Sequence, residues 1–158
     1  MHIKIDKHAS NGPKQLKRRL LELMGKADVN KSGVSGWIVL DRDNWSEKEI
    51  REVYDWQKKE PRVRIAMTDP KFEWWLALHF EDFPSASHRD LEKLLEARDA
   101  LRGNNKKEIN TRVFGELEII SAIRRATNLR NHTSIPGSRE TDVHLLVRQI
   151  LPETIVGG

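Results

Sequence analysis

Apolar side chains along this chain change their spacing from one segment to the next, and each spacing predicts an element. Polar and apolar residues alternate from His2 to Asp6, the period of a short strand. Ser10-Asn11-Gly12-Pro13 then offers a cap and a first-turn proline for a helix whose apolar stripe is Leu16, Leu20, Leu23 and Met24, with Gly25 placed to end it. The turn formers of 28–36 lead into an apolar run, Trp37-Ile38-Val39-Leu40, that reads as a buried strand ending in Asp41-Arg42-Asp43. Ser46-Glu47-Lys48-Glu49 has the spacing of a capping box, and Ile50, Val53 and Tyr54 form the inward face of the helix behind it until Pro61. Val63, Ile65 and Met67 alternate as a further strand. Asp69 is placed to cap a helix whose first position is Pro70, with Phe72, Trp75, Leu76, His79 and Phe80 as its stripe. Leu91, Leu94 and Leu95 mark a shorter helix, and Gly103 to Lys107 reads as an exposed loop. Val113, Leu117, Ile120 and Ile123 predict a long helix ending near Asn131, and Val143, Leu146, Val147 and Ile150 a last one closed by Pro152.

Strand, helix, strand, helix, strand and then helices only is the order of an α/β fold. Its strand to helix to strand alternation implies parallel pairing with right-handed crossovers. The expectation is a small, mostly parallel sheet flanked by helices with a helical C-terminal part. One domain spans 1–151, with the alternation in 1–82 and the helical part in 83–151, and 152–158 is expected to fray as a tail.

Composition changes this picture little. The 158 residues are 37% hydrophobic, enough for a single core. The 28 basic and 24 acidic side chains leave a formal charge of +4, which permits nucleic-acid binding without arguing for it. The absence of cysteine excludes disulfides and thiolate metal sites and fits a reducing, cytoplasmic setting. No stretch approaches the apolar length of a membrane span or signal peptide, so no membrane is expected. No glycine-rich phosphate loop, nucleophile elbow or zinc motif is found.

The candidate chemistry lies in carboxylates. Asp41 and Asp43 point to one side if the strand stays extended through both, and two carboxylates so close call for a cation. Magnesium, or manganese, prefers oxygen ligands and suits such a pair. The competing reading ends the strand at Asp41, leaves Arg42 solvated and makes Asp43-Asn44 an Asx-type turn. Glu73 is the third candidate: the helix dipole alone explains a carboxylate in a first turn, yet a third parallel strand delivers that helix to the same sheet edge. His79, on an apolar stripe, is expected to be a core histidine bonded to a backbone carbonyl. His2, His8, His88 and His132 show no pairing with acidic residues, and His144, beside Asp142 at a helix start, is a solvated cap or a phosphate contact. Trp37 and Trp75 are assigned to the core, while Trp45, Trp56 and Trp74 could form a partner surface. Basic residues cluster at Lys14, Lys17, Arg18 and Arg19, at Lys106 and Lys107, and at Arg124, Arg125 and Arg130. Any two such clusters flanking the carboxylates would guide a polyanionic backbone, whereas solvated helix faces are the commoner case.

Val39-Leu40-Asp41-Arg42-Asp43-Asn44, and Thr68-Asp69-Pro70-Lys71-Phe72-Glu73-Trp74-Trp75-Leu76-Ala77-Leu78-His79-Phe80-Glu81-Asp82, together resemble the RloB-like family of prokaryotic phage-defence proteins. That family carries a "VFDRDD"-like strand end and a "SNPCFELWLLLHFED"-like helix start, with Lys71 standing here at the cysteine of the pattern. Thr141 to Val147 is similar to its final helix, and the resemblance spans Ile3 to Leu151. The resemblance implies a Toprim-like, Rossmann-related domain in which Asp41 and Asp43 bind the metal. The glutamate that completes such a site lies, in the family, in a "CEGEKTE"-like segment before the strand matched by Ile3 to Asp6. It has no counterpart here, which implies either a longer gene product or a degenerate member in which Glu73 partly substitutes.

Two functions follow as expectations. The first is a magnesium-dependent, nuclease-like protein that cleaves phosphodiesters in phage defence, of the abortive-infection or restriction-linked kind, with nucleic acid as its substrate and Asp41, Asp43 and Glu73 as catalytic residues. The second is a non-catalytic module that docks through its tryptophans and helical half on a partner ATPase, with homo-oligomerisation compatible with either.

Overall fold

The computed structural model describes residues 12–26, 35–85, 87–103, 108–131 and 133–152. Strands β1 (Gly36–Asp41) and β2 (Val63–Thr68) pair in parallel, Gly36 opposite Val63 through Asp41 opposite Thr68. Helix α2 (Glu47–Lys59) forms the crossover between them. Its start follows the predicted capping box: Ser46 and Glu49 bond each other's backbone N–H groups, and Ile50, Val53 and Tyr54 are buried. Helix α1 (Pro13–Lys26) lies against β1 at Gly36, where an added Cβ would sit 2.6 Å from Met24 Sδ and 2.9 Å from Leu20 Cδ1. A side chain at 36 would require those two side-chain ends to shift, so glycine gives α1 its close approach.

Alternation along the two strands feeds two apolar clusters. Ile38, Leu40, Val63, Ile65 and Met67 join Met24 of α1 and Ile50, Val53 and Tyr54 of α2. Ala66, on the opposite face of β2, joins a larger cluster with Trp74, Trp75 and Leu76 of α3 (Phe72–Ala77), Leu91 and Leu95 of α4 (His88–Ala97), Ala122, Ile123 and Ala126 of α5 (Glu116–Leu129) and Val143 of α6 (Val143–Ile150). The six helices and the parallel pair make a mixed α/β fold, as expected. The strand expected at His2–Asp6 lies outside the described residues.

Three expectations are corrected. The C-terminal half is not purely helical: β3 (Leu101–Arg102) and β4 (Glu108–Ile109) form a small antiparallel hairpin, and Thr141 bridges Thr68 antiparallel on the edge of β2 away from β1. Asp69 does not cap a long helix from Pro70. Its carboxylate lies 3.2 Å from the Arg42 guanidinium instead, the Asp69–Pro70 peptide is cis, Lys71 is the N-cap, and α3 ends at Ala77 in tight turns in which His79 N–H donates to Leu76 O. The stripe on α5 is also different. Leu117 is 75% exposed and Ile120 is exposed too, while Ile123 is buried as expected, together with Ala122 and Ala126. Weighting by large apolar residues misses the two buried alanines.

Candidate metal site at the strand ends

Asp41 ends β1 and Thr68 ends β2, so the turns that follow both strands meet at one edge of the sheet. Residues 42–44 form a 3-10 turn, not extended chain, so strand alternation does not set the relation of Asp41 to Asp43 as the sequence suggested. The turn is held in place from two directions. Asp43 N–H donates to Pro70 O at 3.3 Å, and the Arg42 guanidinium, paired with Glu47 and 3.2 Å from Asp69, also donates to Pro136 O at 3.3 Å. Arg42 is thus a cross-strut between β1, the turn after β2 and the 136 loop, not the solvated residue of the competing reading.

The carboxylates crowd around this edge. Burial, then Glu73, then Asp43 push the Asp41 carboxyl up to about 6, against a backbone N–H donated by Phe72 and the charge of Lys71. Lys71 Nζ stands 3.2 Å from Asp43. Burial also raises the Asp69 carboxyl, and Arg42 opposes the shift. The structure therefore brings Asp41, Asp43 and Glu73 into mutual electrostatic reach and adds Arg42 and Lys71, neither of which charge clustering singles out. Arg42 was concealed between two aspartates, and Lys71 stands alone in sequence. The predicted basic clusters are engaged elsewhere: Lys17 with Glu52, Arg125 with Asp82, and Arg130 with Glu140 and Asp142, while Lys106 and Lys107 lie outside the described residues.

Among the described residues no group of three or more histidine, cysteine, aspartate and glutamate side chains is placed to hold a metal ion. Magnesium does not need one, since it binds through one or two carboxylates and fills its other positions with water and substrate phosphate. A crowded, partly buried pair with a raised carboxyl fits that chemistry.

The other candidates fall into place individually. His79 is buried, and its Nδ1 lies 3.1 Å from both Trp75 O and Leu76 O. Burial pushes its imidazole down to about 4, so it is the neutral core histidine expected. His88 departs from expectation by pairing with Glu92 at 3.3 Å, while His2, His8 and His132 lie outside the described residues. Trp74 is 1% exposed and belongs to the core, while Trp45 and Trp56 are half-buried against the α2 cluster. His144 is not a solvated cap but is buried, with Nδ1 2.9 Å from Thr141 O. No helix among the described residues is long and apolar enough to cross a membrane.

No curated protein and no solved structure matches the chain. The family model described as RloB-like protein matches residues 1–150, nearly the whole sequence, and the chain belongs to the RloB-like family.

Proposed function

We propose that this protein is a divalent-metal-dependent, phosphodiester-cleaving protein of phage defence, with magnesium or manganese held by Asp41 and Asp43. The observation that carries the reading is the Asp41 carboxyl, raised to about 6 by burial and by two neighbouring carboxylates at the C-terminal edge of a parallel strand pair. Ligands of open α/β sheets bind at that edge. When bound, the cation would neutralise a scissile phosphate and orient the attacking water. The chain's own side chains supply the rest. Asp41 and Asp43 fix the ion's position, Glu73 adds negative charge that favours its capture, and Arg42 keeps the 42–44 turn rigid between the two ligands. Lys71, a third exposed on its side chain, is free to swing from Asp43 to a phosphate oxygen. A Toprim-like arrangement, as the resemblance implies, accords with this assignment of the aspartates.

Asp41→Asn and Asp43→Asn should each abolish magnesium-dependent cleavage of nucleic acid with the circular dichroism spectrum unchanged, and Glu73→Gln should weaken it. Full cleavage by both aspartate variants would refute the proposal.

A further inference from the structure

A cleft of about 340 Å³ opens beside β2, with none of Asp41, Asp43 and Glu73 in its lining, and its walls mix polar and apolar side chains. It forms where the edge of β2 loses its partner. Residues 140–142 pair with 67–69, through Asp69 N–H to Glu140 O and Asp142 N–H to Met67 O, before the chain turns into α6 at Val143. Farther back along β2, the Ile65 N–H is satisfied by the side chain of Gln57 at 2.8 Å and not by a strand.

Three side chains of the cleft bear on recognition. His144 is 3% exposed and lines the cleft. Its Nδ1 is 2.9 Å from Thr141 O, which makes Nδ1 the protonated nitrogen and leaves Nε2 as an acceptor on the side of the cleft. Burial lowers the imidazole pKa and keeps it neutral. Arg64 is exposed and uses only one guanidinium nitrogen on the protein, donating to Pro61 O and Val63 O; it forms no ion pair among the described residues. Trp37 supplies an aromatic wall, its ring fixed by Nε1–H donating to Gln149 Oε1 at 2.8 Å. By contrast Arg130 and Asp142 satisfy each other at 2.8 Å, with Tyr54 donating to the second Asp142 oxygen, so they frame the cleft without seeking a ligand.

An acceptor facing the cleft, a cation with unused donors and an aromatic surface, in a volume of ligand size, call for a flat molecule with an N–H group at one end and an anion at the other. We propose that this cleft binds a nucleotide unit, its base amino group donating to His144 Nε2 and its phosphate held by Arg64, with Trp37 against the base. The unit is either a free nucleotide or one residue of a single-stranded nucleic acid. The inference does not rest on the metal reading.

The test uses adenosine monophosphate, followed by tryptophan quenching, and a short fluorescent oligoadenylate, followed by anisotropy, with the full chain. Arg64→Gln, at an exposed position, and His144→Gln, checked for folding by circular dichroism, should each weaken binding about tenfold, the effect of one lost charged or buried hydrogen bond. The Asp41→Asn/Asp43→Asn double variant should bind as the parent does, even with cleavage lost. Binding of the monophosphate identifies a free-nucleotide site, and binding of the oligomer alone a single-strand site; either sustains the proposal. No binding of either probe by the parent chain, unchanged affinity in both cleft variants, or loss of binding in the double aspartate variant would overturn it.

Discussion

Asp41 is half-buried with two like charges beside it, and that arrangement is unfavourable to folding at neutral pH. Its carboxyl is raised from 3.8 to about 6, so the folded state holds the proton more tightly than the unfolded chain does. The sign follows from linkage: the stability contribution falls as pH rises through this window, and the full penalty is present above about 6. Asp41→Asn should therefore stabilise the fold at pH 7.5 by up to about 1 kcal/mol once solvent screening of a partly exposed group is allowed for, a rise of about 2–4 °C in the thermal midpoint. The gain should shrink as pH is lowered toward 4.5. A midpoint that falls at pH 7.5 would mean that the carboxylate is held by bonds the substitution breaks. Lys71 offsets part of the same repulsion from its place 3.2 Å from Asp43. A divalent ion on Asp43 must compete with that ammonium, so Lys71→Met should tighten manganese binding by about tenfold in calorimetric titration, while Lys71→Arg, which keeps the charge, should not. Both aspartates are visible in the sequence as a pair at a strand end. Their crowding with Glu73 and Lys71 is not, because it depends on where the 69–71 turn returns the chain.

Elements whose signals are local are legible, and those tied by distant partners are not. The capping box of α2 spans three residues, and β1 and β2 announce themselves by an apolar run and by alternation; all three form as read. The long helix expected from Pro70 does not form: the Asp69 carboxylate, a cap candidate by residue type, pairs with Arg42 from another turn, and Lys71 is the N-cap. The attachment of α5 and α6 to β2 is equally hidden. Arg130, just past α5, donates to Asp142 at 2.8 Å and to Glu140 at 2.9 Å; Glu140 also accepts from the Asn131 and Gly137 N–H groups, and Thr141 meets Thr68 across 73 residues at 2.8 Å. Glu140 and Asp142 are 2% and 5% exposed, so their charges have little recourse to water. Arg130→Met removes the positive charge that both share, leaving only neutral hydrogen bonds from Asn131, Gly137 and Tyr54, and should cost about 3–5 kcal/mol in urea unfolding. A loss below about 1 kcal/mol would show that solvent reaches these carboxylates, as at a surface pair.

Strand β2 is the wall shared by the two apolar clusters, with Ile65 and Met67 in one and Ala66 in the other. Parallel pairing was legible because a strand, a helix and a strand in succession have few ways to pack. The β3–β4 hairpin was not, since two residues per strand carry no period. A shared central strand predicts how the whole molecule comes apart. Ile65→Ala opens a cavity in the cluster of α1 and α2, and Leu95→Ala opens one in the cluster of α3 to α6, each at about 2–5 kcal/mol. Neither cluster can lose its order without stripping one face of β2, so both substitutions should shift a single transition to lower urea. Tryptophan fluorescence, which reports Trp45 and Trp56 on one side and Trp74 and Trp75 on the other, should then coincide with far-ultraviolet circular dichroism in both variants. If the clusters were independent, Ile65→Ala would instead split off an early fluorescence change with most helical signal retained, because four of the six described helices, α3 to α6, pack in the other cluster. Coincident curves in Leu95→Ala but separated curves in Ile65→Ala would place the weak seam at β2, between the cluster that holds Ile65 and the one that holds Ala66.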